Sequence, residues 1–271
     1  MSQARKQGPL IGLAALLMLM ASSLAAEPAR IAIIIDDLGY RTDMDHAVLA
    51  LDPRIAVAVI PDAPGAASAA LTAANQSREV LIHLPLIHLQ GDCDNLVCLG
   101  QNWSVDEIYR HLKWADQRVP GAVGLSNHQG SSFTADPMAS RRLVDGLLRL
   151  KTDDDRQLFV IDSRTSPNSQ LAGMAYGAGL SYAERQVFLD HDRRPGALEE
   201  AWQELLERAR RDGQALAIGH PHPETIAYLR AVIPSLGESN VRLVKVSRLL
   251  TSAGSVAAQQ SMAGESPLTS Q

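Results

Sequence analysis

The sequence predicts an α/β protein that forms a distorted (β/α) barrel of about seven or eight strands. Apolar, β-branched runs of strand length alternate with helical patterns almost from end to end, which is typical of parallel βαβ units. No long linker divides the chain between residues 27 and 250, and this length suits one large domain. We therefore expect a single barrel-like domain, residues 27–250, built on a mostly parallel sheet.

The predicted elements follow one another in a regular order. Strand-like runs lie at residues 30–35, 55–60, 80–84, 122–126, 158–161, 186–189, 215–218 and 241–246. Helical patterns lie at residues 43–51, 64–75, 104–118, 137–150, 197–211 and 224–232. Ser104 and Glu107 form the Ser-x-x-Glu pattern of a capping box, which marks the start of the third helix. The segment 86–102 is predicted to be a loop, and its length suggests that it borders a site.

Both ends of the chain are predicted to lie outside the domain. Within residues 1–26, two basic residues precede an apolar stretch and then small residues, which is the pattern of a cleaved signal peptide; an uncleaved N-terminal anchor is the alternative. The signal predicts a periplasmic or secreted protein, and no later segment is long and apolar enough to span a bilayer. Residues 251–271 are rich in Ser, Ala, Gln and Gly and are predicted to be disordered.

Charge and cysteine content limit the partners that the protein can have. The formal net charge is −5 and there is no basic patch, which argues against a nucleic-acid partner.

The two cysteines, Cys93 and Cys98, are close in sequence, and in an exported chain such a pair is typical of a disulfide that closes a loop. The alternative, half of a metal site, needs two more ligands nearby. Nothing in the sequence indicates the oligomeric state.

Polar and titratable side chains follow nearly all of the predicted strands. They are Asp36, Asp37, His83, Asn127, His128, Ser131, Asp162, Arg164, Asp190 and His220. In a barrel the carboxyl ends of the strands meet at one mouth, so these residues become neighbours. Two adjacent carboxylates such as Asp36 and Asp37 are costly unless a cation or a shared proton is present. The alternative is that one of them caps the next helix while the other is solvated.

A hydrolytic zinc site explains this combination of residue types. One aspartate, two neutral imidazoles and an open position are the ligands expected for such a site, where the metal lowers the pKa of a bound water molecule. A neighbouring carboxylate that is not on the metal then accepts the proton of that water. The adjacent aspartates supply one candidate for each role. A single histidine at a strand end is more often structural, but a ring of histidines and aspartates favours a site.

Six segments, in this order, resemble a known family: IIIDDLGY, EVLIHLPL, GLSNHQGS, VIDSRT, RQVFLD and AIGHPHPET. They are similar to the divergent polysaccharide deacetylases, the second family of that name and distant relatives of the NodB-type carbohydrate esterases. The resemblance covers about residues 32–250. It implies a barrel of the NodB/glycoside hydrolase-deacetylase type, and the removal of N- or O-acetyl groups with a divalent metal. It also implies that Asp36 is the general base, Asp37 a metal ligand, and His220 the acid that protonates the leaving group.

The second motif of this superfamily is not reproduced. The superfamily has two metal-binding histidines at i and i+4, whereas here His83 is followed by His88, at i+5. We therefore expect the metal ligands to be Asp37, His83 and His128, with the two histidines on separate strands. His220 remains the alternative to His83 as the third ligand.

The leading hypothesis is a periplasmic, metal-dependent deacetylase, an enzyme that acts on a cell-envelope polysaccharide or glycan, most simply with Zn²⁺. The residues predicted to contact this substrate are Asn127, Ser131, Asp162 and Arg164. Each of them has an ordinary structural alternative, such as a turn or an ion pair. Two other functions stay open: a non-catalytic envelope binding or scaffold protein that keeps the fold, and a metal hydrolase of another ester or amide.

Overall fold

The computed structural model describes residues 27–87, 93, 96–152 and 155–252. The strands are β1 (Ala29–Leu38), β2 (Ala56–Val59), β3 (Val80–Leu86), β4 (Gly124–Gln129), β5 (Phe159–Asp162), β6 (Tyr182–Glu184), β7 (Val187–Phe188), β8 (Gln214–Gly219) and β9 (Val241–Leu243). The α-helices are α1 (Thr42–Leu49), α2 (Ala66–Asn75), α3 (Val105–Arg118), α4 (Ser131–Ala135), α5 (Pro137–Arg149), α6 (Leu171–Gly177), α7 (Ala197–Asp212) and α8 (Pro223–Val232). Within these ranges, no helix has the length and apolar character needed to cross a membrane. The predicted signal peptide and residues 253–271 of the predicted tail lie outside the described residues.

The strands form one curled parallel sheet. Their order is β6-β5-β4-β3-β2-β1-β8-β7, and β9 pairs with the start of β1. The two end strands, β6 and β7, are separated in the chain only by Arg185 and Gln186. Because β6 pairs with β5 while β7 pairs with β8, this segment joins the two edges of the sheet. The predicted distorted (β/α) barrel is therefore confirmed.

Apolar side chains fill both faces of the sheet. Along β1, Ala32 and Ile34 belong to the inner cluster, whereas Ile31, Ile33 and Ile35 belong to the outer cluster against the helices. This alternation follows from the two-residue period of a strand, and both faces are apolar because helices cover the outer one. A polar side chain on the inner face at the carboxyl end of a strand consequently lies at the barrel mouth.

The structure differs from the sequence prediction at a few elements. The predicted strand at residues 241–246 ends at Leu243, and a short 3₁₀ helix begins at Val246. β6, α4 and α6 were not predicted, because each is short and lacks a clear apolar period. The capping box is confirmed: the Ser104 hydroxyl accepts a hydrogen bond from the backbone N–H of Glu107, and the Glu107 carboxylate accepts one from the backbone N–H of Ser104.

Candidate metal centre at the barrel mouth

The adjacent carboxylates of Asp36 and Asp37 approach the same imidazole because β1 is irregular at its end. β1 advances from Ile35 to Leu38 while β2 advances by two residues, so β1 carries one extra residue, as in a β-bulge. Asp37 adopts a φ of 63°, in the left-handed region that residues other than glycine seldom occupy. In a regular strand, neighbours point to opposite faces. Here both carboxylates lie next to the ring of His83.

His83 is the buried centre of the site. Its Nε2 atom lies 3.4 Å from Oδ2 of Asp36 and 3.3 Å from Oδ1 of Asp37. Its other ring nitrogen, Nδ1, lies 2.7 Å from the hydroxyl oxygen of Ser126 on the neighbouring strand β4. A hydrogen bond at one ring nitrogen fixes the orientation of the imidazole and leaves the other nitrogen for a ligand. Nε2 of His83 therefore faces the two carboxylates.

The second imidazole of the site comes from the strand beside it. His128 lies on β4, opposite Pro85 of β3. Its Nδ1 atom is 3.1 Å from Oδ1 of Asp37 and 3.3 Å from Nε2 of His83. The His128 ring is partly exposed, so this side of the site is open to solvent. One carboxylate oxygen and two imidazole nitrogens thus lie close together at the mouth.

These three donor atoms are spaced as the ligands of one metal ion. They are 3.1 to 3.3 Å apart, and tetrahedral ligands ~2.0–2.1 Å from a zinc ion are themselves ~3.3–3.4 Å apart. Oδ1 of Asp37 is buried without a hydrogen-bond partner among the residues that the structure describes. A buried oxygen in this state is normally satisfied by a ligand or an ion. Asp37, His83 and His128, the predicted ligands, therefore fit a divalent metal.

The surroundings give the two aspartates different proton affinities. Burial raises the pKa of Asp36; His83 opposes this rise, and the negative charge of Asp37 adds to it. Burial acts on Asp37 in the same direction, but the imidazoles of His128 and His83 outweigh it and hold the pKa of that carboxyl well below its usual range. Asp37 is therefore suited to be an anionic ligand. Asp36, whose Oδ1 has no hydrogen-bond partner in the described part of the chain, is suited to accept a proton.

His220 faces the site from the opposite side, at the end of β8. Its Nε2 atom is 4.0 Å from Oδ2 of Asp37, whereas its Nδ1 atom is 2.8 Å from Oδ1 of the buried Asp190. Oδ2 of Asp190 accepts hydrogen bonds from the backbone N–H of His220 and from the hydroxyl of Thr225, each at 2.7 Å. Burial lowers the pKa of His220, but Asp190 outweighs it and raises that pKa to about 9.

The positions of the two histidines favour His83 over His220 as the third ligand. Nε2 of His83 is closer to the Asp37 carboxylate than Nε2 of His220 is, at 3.3 Å against 4.0 Å. Nε2 of His220 also lies outside the group of three donor atoms that are 3.1 to 3.3 Å from one another.

A cavity of about 340 Å³ opens beside these residues. It is lined by Asp37, Tyr40, Arg41, Ile60, Leu96, His128, His220, Pro221 and His222. The structure joins Cys93 and Cys98 in a disulfide, as predicted, and Leu96 lies between them in the chain. Part of the segment 86–102 therefore borders the site, while His88 lies outside the described residues.

Two of the predicted substrate contacts are directed away from the mouth. Oδ1 of Asn127 accepts a hydrogen bond from the backbone N–H of Ser163 at 2.9 Å. Asp162 is fully buried and accepts a hydrogen bond from the hydroxyl of Ser169 at 2.7 Å. Both side chains therefore tie the loops after β4 and β5 to the structure around them. Their contact with substrate stays a prediction that these hydrogen bonds do not support.

The other two predicted contacts are Arg164 and Ser131. Arg164 pairs with Glu184 at 2.6 Å, next to β6. Ser131 is the first residue of α4 and is half-buried. Neither residue lines the 340 Å³ cavity. Substrate contact by Arg164 and Ser131 likewise stays a prediction.

Sequence analysis missed several residues that support or line the site. Ser126 holds His83, and its position two residues before His128 places it on the same face of β4, which was a usable signal. Thr225, which holds Asp190, lies in the first turn of α8 and gave no such signal. Tyr40 and Arg41 line the cavity because the chain turns directly after β1.

Known proteins resemble this chain along most of its length. The sequence model of the family described as divergent polysaccharide deacetylase matches residues 33–250. The uncharacterized protein YibQ of Escherichia coli (strain K12) is 38% identical over 240 residues, which are 89% of this chain and 72% of that protein. An uncharacterized protein of Haemophilus influenzae is 33% identical over 228 residues, or 84% of this chain and 79% of that one.

A solved structure has the same fold. It is that of the uncharacterized protein ATU2773 from Agrobacterium tumefaciens C58, with a TM-score of 0.75 and 21% sequence identity. The match covers 83% of this chain and 90% of that protein.

Proposed function

Because the chain belongs to the divergent polysaccharide deacetylase family, we propose that it is a metal-dependent hydrolase that removes N- or O-acetyl groups from a polysaccharide or glycan of the cell envelope. The observation that carries this proposal is the spacing of the Asp37, His83 and His128 donor atoms, 3.1 to 3.3 Å from one another. The carboxylate of Asp36 lies beside them with one oxygen unpartnered within the described residues. The metal most consistent with this ligand set is Zn²⁺.

Each residue of the site has one role in this reaction. Asp37, His83 and His128 hold the metal, which when bound polarises the acetyl carbonyl and makes water a better nucleophile. Asp36 accepts the proton of the attacking water. His220 donates a proton from Nε2 to the departing nitrogen or oxygen of the sugar, since Asp190 raises the pKa of this imidazole and so favours its protonated form. Removing either proton-transfer group slows turnover without removing a ligand.

Acetate release by the purified protein tests this function. We expect the zinc-loaded protein to release acetate from acetylated envelope glycans, to stop after treatment with a chelator, and to recover when zinc is added back. The Asp36→Asn variant, loaded in the same way, is the control for acetate released by a contaminant. A zinc-loaded wild-type protein that releases no acetate from any glycan contradicts the proposal and favours a non-catalytic envelope protein.

The cellular location that we propose is the periplasm, reached by cleavage of a signal peptide within residues 1–26. This proposal rests on the order of basic residues, an apolar stretch and small residues in this segment. We expect the mature protein to begin at Ala26 or Glu27 and to be recovered in the periplasmic fraction. N-terminal sequencing that finds the original N-terminus on a membrane-bound product contradicts this proposal.

A further inference from the structure

A second and larger cavity adjoins the cavity at the barrel mouth. It has a volume of about 680 Å³ and lies between the loop after β7 and the first turns of α8. His222 lines both this cavity and the one at the barrel mouth. The rings of His220 and His222 are 5.9 Å apart, and Asp190, which holds His220, also lines the second cavity. His222 and the Asp190–His220 pair therefore link the second cavity to the barrel mouth.

The charged side chains of this cavity are already paired. Arg193 of the loop faces Glu224 of α8 at 3.8 Å, so a hydrogen-bond donor stands on one wall and an acceptor on the other. Arg194 is bound to Asp192 within the loop. A site for a phosphate or a carboxylate normally offers a guanidinium that is free to bind it. The second cavity has the opposite character, because each of its guanidiniums has a carboxylate next to it.

The apolar part of the lining includes Tyr228 and Leu198. Tyr228 is half-buried on α8, and its hydroxyl donates a hydrogen bond to Glu199 at 2.6 Å. Its ring also packs edge-on against the buried Trp202, with 6.1 Å between the ring centres. Leu198 lies close by on the first turn of α7. An aromatic ring that is fixed on two sides presents an apolar surface at little cost in side-chain entropy.

We propose that this cavity binds the uncharged sugars next to the acetylated residue of a glycan chain, so that the chain lies across His222. The inference rests on the proposed function and extends it to the substrate class. A pyranose ring has an apolar C–H face, which suits Tyr228 and Leu198, and hydroxyl groups that both donate and accept hydrogen bonds. The Arg193 guanidinium and the Glu224 carboxylate are exposed and 3.8 Å apart, too far for a direct hydrogen bond, so one sugar hydroxyl can accept from the first and donate to the second. The volume lies within the range of ~300–1,000 Å³ that is usual for ligand sites.

The dependence of turnover on chain length tests this assignment. Rates are measured with 4-nitrophenyl acetate, with acetylated chito-oligosaccharides of one to five sugars, and with O-acetylated galacturonate oligomers as the acidic counterpart. We expect kcat/KM to rise at least ~10-fold, worth ~1.4 kcal/mol, from the monosaccharide to the neutral pentasaccharide. The acidic series should show no such rise.

Three variants make the test specific. Leu198→Trp fills the cavity and should remove the rise with chain length. The double variant Arg193→Ala/Glu224→Ala changes only exposed side chains, so it should keep the fold and reduce the rise. Leu148→Trp is the matched control, since Leu148 is an exposed leucine of α5 that lines neither cavity, and it should keep the full rise.

The outcomes separate this inference from the proposed function. Three outcomes contradict the cavity assignment alone. The protein hydrolyses the small ester but kcat/KM does not rise with chain length, or it rises only with acidic chains, or the rise persists in Leu198→Trp. If no substrate is turned over, the proposed function fails, and calorimetric titration with the neutral pentasaccharide decides the assignment. Binding that Leu198→Trp abolishes then supports the cavity, whereas the absence of binding by the wild-type protein overturns it.

Discussion

The Asp36→Asn protein is expected to keep its metal and its fold and to lose ~10²–10⁴-fold of its rate of acetate release. Asparagine is nearly isosteric with aspartate but does not accept a proton. Asp36 lies 3.4 Å from His83, and its pKa is raised by burial, so it is placed and tuned to take the proton of the attacking water. Metal content and kcat, measured on the same preparation, check this prediction.

A neighbouring aspartate provides the control for this variant. Asp43 is exposed in the first turn of α1 and does not line the cavity at the barrel mouth, so Asp43→Asn should leave both metal content and rate at wild-type values. Loss of metal from Asp36→Asn would show that both adjacent carboxylates are ligands. Full activity of Asp36→Asn on a substrate that the wild type turns over would show that the base is another group.

Replacement of a metal ligand, unlike Asp36→Asn, is expected to weaken zinc binding itself. Asp37→Asn and His128→Ala should weaken zinc binding more than ~100-fold, which exceeds the ~10–100-fold loss typical of removing a residue that only supports a ligand. Asparagine is the better replacement at Asp37, because it tolerates the positive φ of this position and changes only the charge. Zinc titration monitored by calorimetry or a competing chelator measures the effect.

His220→Ala separates the ligands from the proton donor. We expect it to bind zinc as the wild type does while losing most of the deacetylase rate, because its Nε2 atom lies 4.0 Å from Oδ2 of Asp37 and outside the close set of donors. The third ligand is misassigned if His220→Ala loses zinc and His83→Ala retains it.

The sequence was sufficient to predict which strand ends carry the chemistry. Long apolar runs before Asp36 and His83 identify two central strands, and the convergence of strand ends at a barrel mouth predicts that Asp37, His83 and His128 are neighbours. The structure places these three donor atoms within 3.3 Å of one another. Apolar runs and the convergence of strand ends therefore account for the shared location of these residues, whereas the separate roles of Asp36 and Asp37 came from the family resemblance.

Other features depend on backbone geometry that composition does not encode. The extra residue in β1 and the left-handed conformation of Asp37 decide that neighbouring aspartates face one imidazole, and nothing in the apolar run signals either of them.

Asn127 and Asp162 were predicted to contact substrate because they lie at strand ends. Alternation along the strand places each of them on the face opposite to the inner residues beside it, Ser126 and Ile161.

The position of the bound metal is the most direct test of this account. Crystals of the zinc-loaded protein, measured on both sides of the zinc absorption edge, should show one anomalous peak ~2.0–2.2 Å from Oδ1 of Asp37, Nε2 of His83 and Nδ1 of His128. Asp36 should lie beside this peak without coordinating it. A peak between Asp190, His220 and His222, the other group of close donor atoms in the described residues, would contradict the account. So would a fully loaded protein with no peak at the barrel mouth.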